Sequence, residues 1–116
     1  MLRRWIEKRK AAKALERERA ERGERLFNEA RDSRVSVKVV VNVSNGGSYT
    51  IQKEVSGWAY RDALGDEYRH ARKRAEKWFV SFCDELASTG FQTPDGRTHF
   101  PPAQIVKIKR SDFIDL

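Results

Sequence analysis

Apolar residues alternate in one stretch of this chain and recur at helical spacing in another. Val35, Val37, Val39, Val41 and Val43 fall on one parity, and Ser36, Lys38, Asn42 and Ser44 on the other, with Val40 the exception. A period of two carried by β-branched residues marks a half-buried strand. The return segment SYTIQKEVSGW places Tyr49, Ile51 and Val55 on one parity and Thr50, Gln52 and Glu54 on the other. Between the two runs, SNGGS offers Asn45, Gly46 and Gly47, which are expected to supply the positive φ values of a tight turn. Residues 34–58 are thus predicted to form a β-hairpin. Two strands are not stable alone, so the valine face needs a cover.

The predicted cover is a helix over residues 62–88. Leu64, Tyr68, Ala71, Ala75, Phe79, Phe82 and Leu86 recur every three or four residues, with Trp78 beside them. Asp62 or Asp66 is the expected N-cap, and STG at 88–90 the stop, with Gly90 left-handed. Pro94, Asp95 and Gly96 then stand in turn order between short extended pieces. Pro101 and Pro102 break that run, and QIVKIKR at 104–110 reads as a further strand.

Residues 1–33 read as a helix of a different kind. Ala, Leu, Glu, Lys and Arg dominate and there is no proline. Arg17, Glu21, Arg25 and Glu29 alternate in sign four apart, and Glu18 faces Arg22, the spacing at which helical neighbours meet. Gly23 costs about 1 kcal/mol relative to Ala. Apolar residues gather at the two ends: Leu2, Trp5, Ile6, Ala12 and Leu15, then Leu26, Phe27 and Ala30. No continuous heptad seam connects them. The fold class expected is α+β: a long charged N-terminal helix, a β-hairpin, an amphipathic helix packed on a small antiparallel sheet, and short C-terminal strands. Residues 1–33 form a charged, partly basic arm and residues 34–116 a compact body.

Charge sharpens this division. The 116 residues carry 24 Lys+Arg against 17 Asp+Glu, a net +7. Residues 1–34 hold 12 of the basic and 7 of the acidic residues, so most of the excess lies on the arm. Such an arm favours an anionic macromolecule: nucleic acid, a nucleoprotein or an acidic protein face. Arg3, Arg4, Lys8, Arg9, Lys10 and Lys13 precede the balanced ladder and are the first candidates for partner contact. Arg69, Arg72 and Lys73, on the predicted second helix, are candidates to extend the surface. Leu2, Trp5 and Ile6 among these cations have the composition of an interfacial helix, but the apolar face fades after Leu15, so packing on the body or on a second copy is expected instead. A body of this size gains from pairing, and a homodimer through the arm or a sheet edge is one expectation.

The RKRAEK stretch adds a local likeness. Arg72–Glu76 resembles the Lys-Lys-x-Ala-Lys element of double-stranded-RNA-binding domains, in which a helix follows a small antiparallel sheet. Glu76 stands where that element has lysine. That family has three strands before the helix, against two predicted here, and the element falls inside the predicted helix instead of at its start. The resemblance implies a helix that contacts RNA phosphates.

Catalytic chemistry has little support in the sequence. It contains no phosphate-cradling G-x-x-x-x-G-K, no nucleophile elbow and no paired-histidine metal motif. Asn45-Gly46-Gly47 is better explained as a turn. His70 and His99 are isolated, and Asp84–Glu85 and Asp62–Asp66–Glu67 read as helix-surface charges. Cys83, the single cysteine, lies in the apolar WFVSFC and reads as an inert buried thiol. No cofactor or metal is expected, and no segment approaches a membrane span. A secretory signal is not apparent, so the expected location is the cytoplasm. The expectation for function is a non-enzymatic binding protein that docks a basic helical surface on nucleic acid or a nucleoprotein complex. The alternative is a small protein–protein adaptor or inhibitor, of the kind encoded by phages and mobile elements, using the N-terminal helix for partner choice or oligomerisation.

Overall fold

A computed structural model describes residues 2–116 and has the expected α+β architecture. Its centre is the strand β1, Arg34–Val43, which pairs antiparallel along its length with β2, Ser48–Ser56. On its other side β1 pairs with Ile105–Arg110 over its second half and with Ile114–Asp115 near its start. All five valines of the alternating set are buried. A strand flanked on both edges and covered on one face places its side chains where β-branched residues pack best.

The cover is the helix α2, Ala71–Ser88. Ala71 and Ala75 are fully buried against Val35, and these small side chains let the first half of the helix approach the sheet closely. Further along, Trp78, Phe79, Phe82 and Leu86 meet Val39, Val41 and Val43, joined by Phe91 and Phe100. Thr89 and Gly90 end the helix through N–H bonds to the carbonyls of Glu85 and Leu86, and Gly90 takes a φ of +92° as expected. The short strands Phe91–Gln92 and His99–Phe100 flank the Pro94-Asp95-Gly96 turn.

The start of the second helix, its cap and the first turn differ from expectation. The helix does not begin near residue 62. Residues 58–69 form a second hairpin, β3 (Trp58–Asp62) and β4 (Gly65–Arg69). Leu64 sits at its tip, 96% exposed, and Tyr68 lies on β4, so neither covers the valine face. The cap is His70, whose Nδ1 accepts from the Arg72 N–H at 3.1 Å. Asp62 instead closes the hairpin turn by accepting from the Leu64 N–H at 2.8 Å, and Asp66 pairs with Arg61. In the first hairpin's turn only Gly46 has a positive φ (+85°), while the Asn45 side chain accepts from the Gly47 N–H. Finally, the pairing of Asn42 with Lys107 and of Val43 with Ile105 leaves Val106 in a bulge. Ile105 and Ile108 therefore both reach the core although they are three apart.

The arm is one helix, α1, Leu2–Asp32. Only Phe27 and Ala30 in it are buried. They are held by the second hairpin: Tyr68 meets Phe27 edge-on at 6.5 Å, and the Arg61 guanidinium lies 4.2 Å over the same ring. Arg61 also binds Glu24 at 2.6 Å and Asp66 at 2.9 Å, and these two carboxylates, Asp66 first, raise its pKa further above its ordinary value. Ser33 joins the parts. Its hydroxyl donates to the Ala30 carbonyl (2.7 Å) and accepts from the Ala71 N–H (2.9 Å), and its carbonyl accepts from the Gly57 N–H (2.7 Å). From Leu2 to Arg22 every residue is exposed, and the molecule measures 80 Å along its longest axis against 25 Å across.

Candidate functional site

The exposed end of α1 carries Arg3, Arg4, Lys8, Arg9, Lys10 and Lys13, with Glu7 the single acid among residues 2–13. At helical periodicity these cations do not share one face. Arg4 and Lys8 stand one turn apart on one side, Arg9 and Lys13 on a second, and Arg3 and Lys10 two turns apart on a third. The tip is therefore a positively charged cylinder that an anion can approach from any side. Among the described residues none of the six cations forms an ion pair. The Arg17–Glu21–Arg25–Glu29 ladder likewise has no member pair within ion-pair distance. The Arg9 guanidinium lies 5.0 Å over the Trp5 ring, which leaves Trp5 59% exposed. Trp5 and Ile6 do not pack on the body.

Arg69, Arg72 and Lys73 form a separate patch. Arg69 belongs to β4 and not to the helix, and Arg72 and Lys73 occupy the first turn of α2. The Arg72–Glu76 element thus opens the helix, after four strands instead of two. Arg72 reaches Asp115 at 3.5 Å. Arg69 and Lys73 line an open cleft of about 490 Å³ beside the end of α1, together with Glu29, Asp66 and Glu67, so this cleft has mixed charge. The patch lies beside Ala30, about twenty residues along α1 from the arm cluster, which is roughly 30 Å at 1.5 Å per residue. The two groups do not form one site within a single chain.

Sequence reasoning passed over two surfaces. The face of the main sheet opposite α2 carries Lys38 on β1 and Lys107 and Lys109 on the strand Ile105–Arg110, all exposed. On the second hairpin, Trp58 and Tyr60 are 41% and 53% exposed. Their alternation in WAY was the available signal.

His99 Nε2 lies 2.8 Å from the Thr89 carbonyl and secures the end of α2. The Cys83 thiol is pushed up by burial and, secondarily, by Asp84, which disfavours the nucleophilic thiolate. Among the described residues no group of three or more His, Cys, Asp or Glu is placed to hold a metal ion, and no helix is long and apolar enough to cross a membrane. Comparison with family models, curated proteins and solved structures gave no match to this chain.

Proposed function

We propose that the protein is a non-enzymatic, cytoplasmic nucleic-acid-binding module whose projecting helix contacts phosphates. One observation carries this reading. Six cations and one acid occupy the outer turns of a helix held away from the body, and no intramolecular ion pair among the described residues neutralises them. An uncompensated cationic cylinder attracts a dense polyanion, and binding releases the counterions condensed on it.

The test is fluorescence anisotropy of a labelled oligonucleotide over a salt series. Affinity is expected to fall steeply as salt rises. Changing Arg3, Arg4, Arg9 and Lys10 together to glutamate should abolish binding and leave the thermal transition nearly unchanged, because these side chains touch nothing in the body. Binding that survives the charge reversal would refute the proposal. A second reading has its own observation, since Leu2, Trp5 and Ile6 are exposed beside the cations and phosphate contact does not need them. They suit an adaptor helix that meets an acidic protein face or a second copy. Light scattering that gives a dimer lost on Trp5→Ala would favour that reading.

A further inference from the structure

The outer face of the second hairpin has a composition that the arm does not explain. β3 turns Ala59 and Arg61 toward α1, where Arg61 and Tyr68 close on Phe27. By strand alternation Trp58 and Tyr60 project from the opposite face. Their rings are nearly parallel, 14° between planes with centroids 6.2 Å apart, and about half of each residue is accessible. Charge around them is uneven. Arg69 is the cross-strand partner of Trp58, and the Arg74 guanidinium donates to the Ser56 carbonyl at 2.6 Å, two residues before Trp58. Toward the tip, Glu67 lies across from Tyr60, and Asp62 follows on the same face. An anionic strand is attracted at the Trp58 end and repelled at the tip.

We infer that this face is a stacking platform for unpaired bases, so that the nucleic acid recognised is at least partly single-stranded. The inference rests on the function proposed above. Every base has a π face, and flat exposed rings flanked by arginine are the recurrent means of holding single strands without reading sequence. A duplex keeps its base faces stacked on one another and offers the rings nothing. Arg69, the cross-strand partner of Trp58, donates from Nη1 to the Tyr68 carbonyl at 3.0 Å and supplies positive charge at this end of the platform.

The experiment compares a fluorescein-labelled oligothymidylate with a duplex of equal length, for the wild-type chain and for Trp58→Ala/Tyr60→Ala. The double variant should bind the single strand about ten-fold more weakly, within the range lost with one or two stacked bases, and bind the duplex as before. Trp58→Phe/Tyr60→Phe should keep single-strand affinity. Trp58→Leu/Tyr60→Leu preserves apolar bulk without rings and should behave as the alanine variant does. It decides the matter if the alanine variant fails to fold. Wild-type preference for the duplex, or a leucine variant that binds oligothymidylate like wild type, overturns the platform and leaves the arm's role standing. Wild-type protein that binds neither probe removes the proposed function and the platform with it.

Discussion

Gly57→Ala tests how firmly the arm is joined to the body. A Cβ at this position would lie 1.7 Å from the Ala30 carbonyl oxygen and 2.2 Å from Ser33 Oγ. Neither atom is the loose end of a flexible side chain. The Ala30 oxygen terminates α1 and accepts from both the hydroxyl and the N–H of Ser33, at 2.7 and 3.3 Å. The Ser33 hydroxyl also accepts the Ala71 N–H that opens α2. Relief requires the end of α1, with Phe27 and Ala30, to move off the second hairpin, or the link between β2 and β3 to shift. Overpacking of this kind costs about 1–3 kcal/mol, and each hydrogen bond broken in the junction about 1 kcal/mol more. A loss of about 3–5 kcal/mol follows, a large part of the total stability of a small domain. Urea unfolding followed by far-ultraviolet circular dichroism measures it. Ser33→Ala is the control, since it deletes the hydroxyl's two bonds without adding bulk and should cost about 1–3 kcal/mol. If Gly57→Ala unfolds within about 0.5 kcal/mol of wild type, the junction yields easily and α1 is not fixed by it.

Two further outcomes follow from the packing and the titrating groups. Phe79 is half-buried against the valine cluster with the Arg110 guanidinium 5.4 Å over its ring, so Phe79→Ala should cost about 3 kcal/mol in urea unfolding. Leu64→Ser at the hairpin tip should stay within about 0.5 kcal/mol of wild type, and equal costs at the two positions would contradict this account of the core. Asp95 is held below its ordinary pKa by the Thr93 hydroxyl at 2.5 Å and then by the Arg97 N–H at 3.0 Å. A depressed folded pKa gives stability that is complete above the unfolded carboxylate value of about 4 and is lost as pH falls through the folded value. Wild type should therefore melt above Asp95→Asn at neutral pH and converge with it in acid; a gap independent of pH would show that the carboxylate charge is not responsible.

The elements read correctly from the sequence are those whose evidence is local. Five alternating valines specify β1, because one buried face of a strand leaves a period of two whatever covers it. Phe79, Phe82 and Leu86 specify the second half of α2 in the same way. Residues 62–69 read as helix because the spacing of Leu64, Tyr68 and Ala71 coincides with a helical stripe. What makes this stretch a hairpin is long-range: Arg61 and Tyr68 close over Phe27, more than thirty residues earlier in the chain. A histidine cap is likewise invisible to a search for Ser, Thr, Asp or Asn. The bulge at Val106 depends on pairing with β1, which the segment alone does not encode. For the candidate site, the cationic tip was legible because its six cations fall within residues 3–13 of one helical stretch that no continuous apolar face ties to the body. The Trp58–Tyr60 platform was not, since its exposure depends on which face of the second hairpin α1 covers.

The arm's helix does not rest on the ion pairs that its sequence suggests, since none forms in the Arg17–Glu29 ladder among the described residues. A sequence of good helix formers still has to overcome an unfavourable nucleus, and that nucleus is supplied at one end. Phe27, Ala30 and Arg61 fix the last turns against the second hairpin, so each earlier residue has only to propagate a helix that already exists. Order imposed from residue 27 backwards holds the cations of residues 3–13 at the far end of a rod, roughly 30 Å from Arg69 and Lys73. A small ligand cannot touch both groups. An extended polyanion can, because a nucleic-acid strand presents a phosphate at every nucleotide along such a distance. On the function proposed above, the rod geometry suits a long, repeating anionic partner better than a compact one.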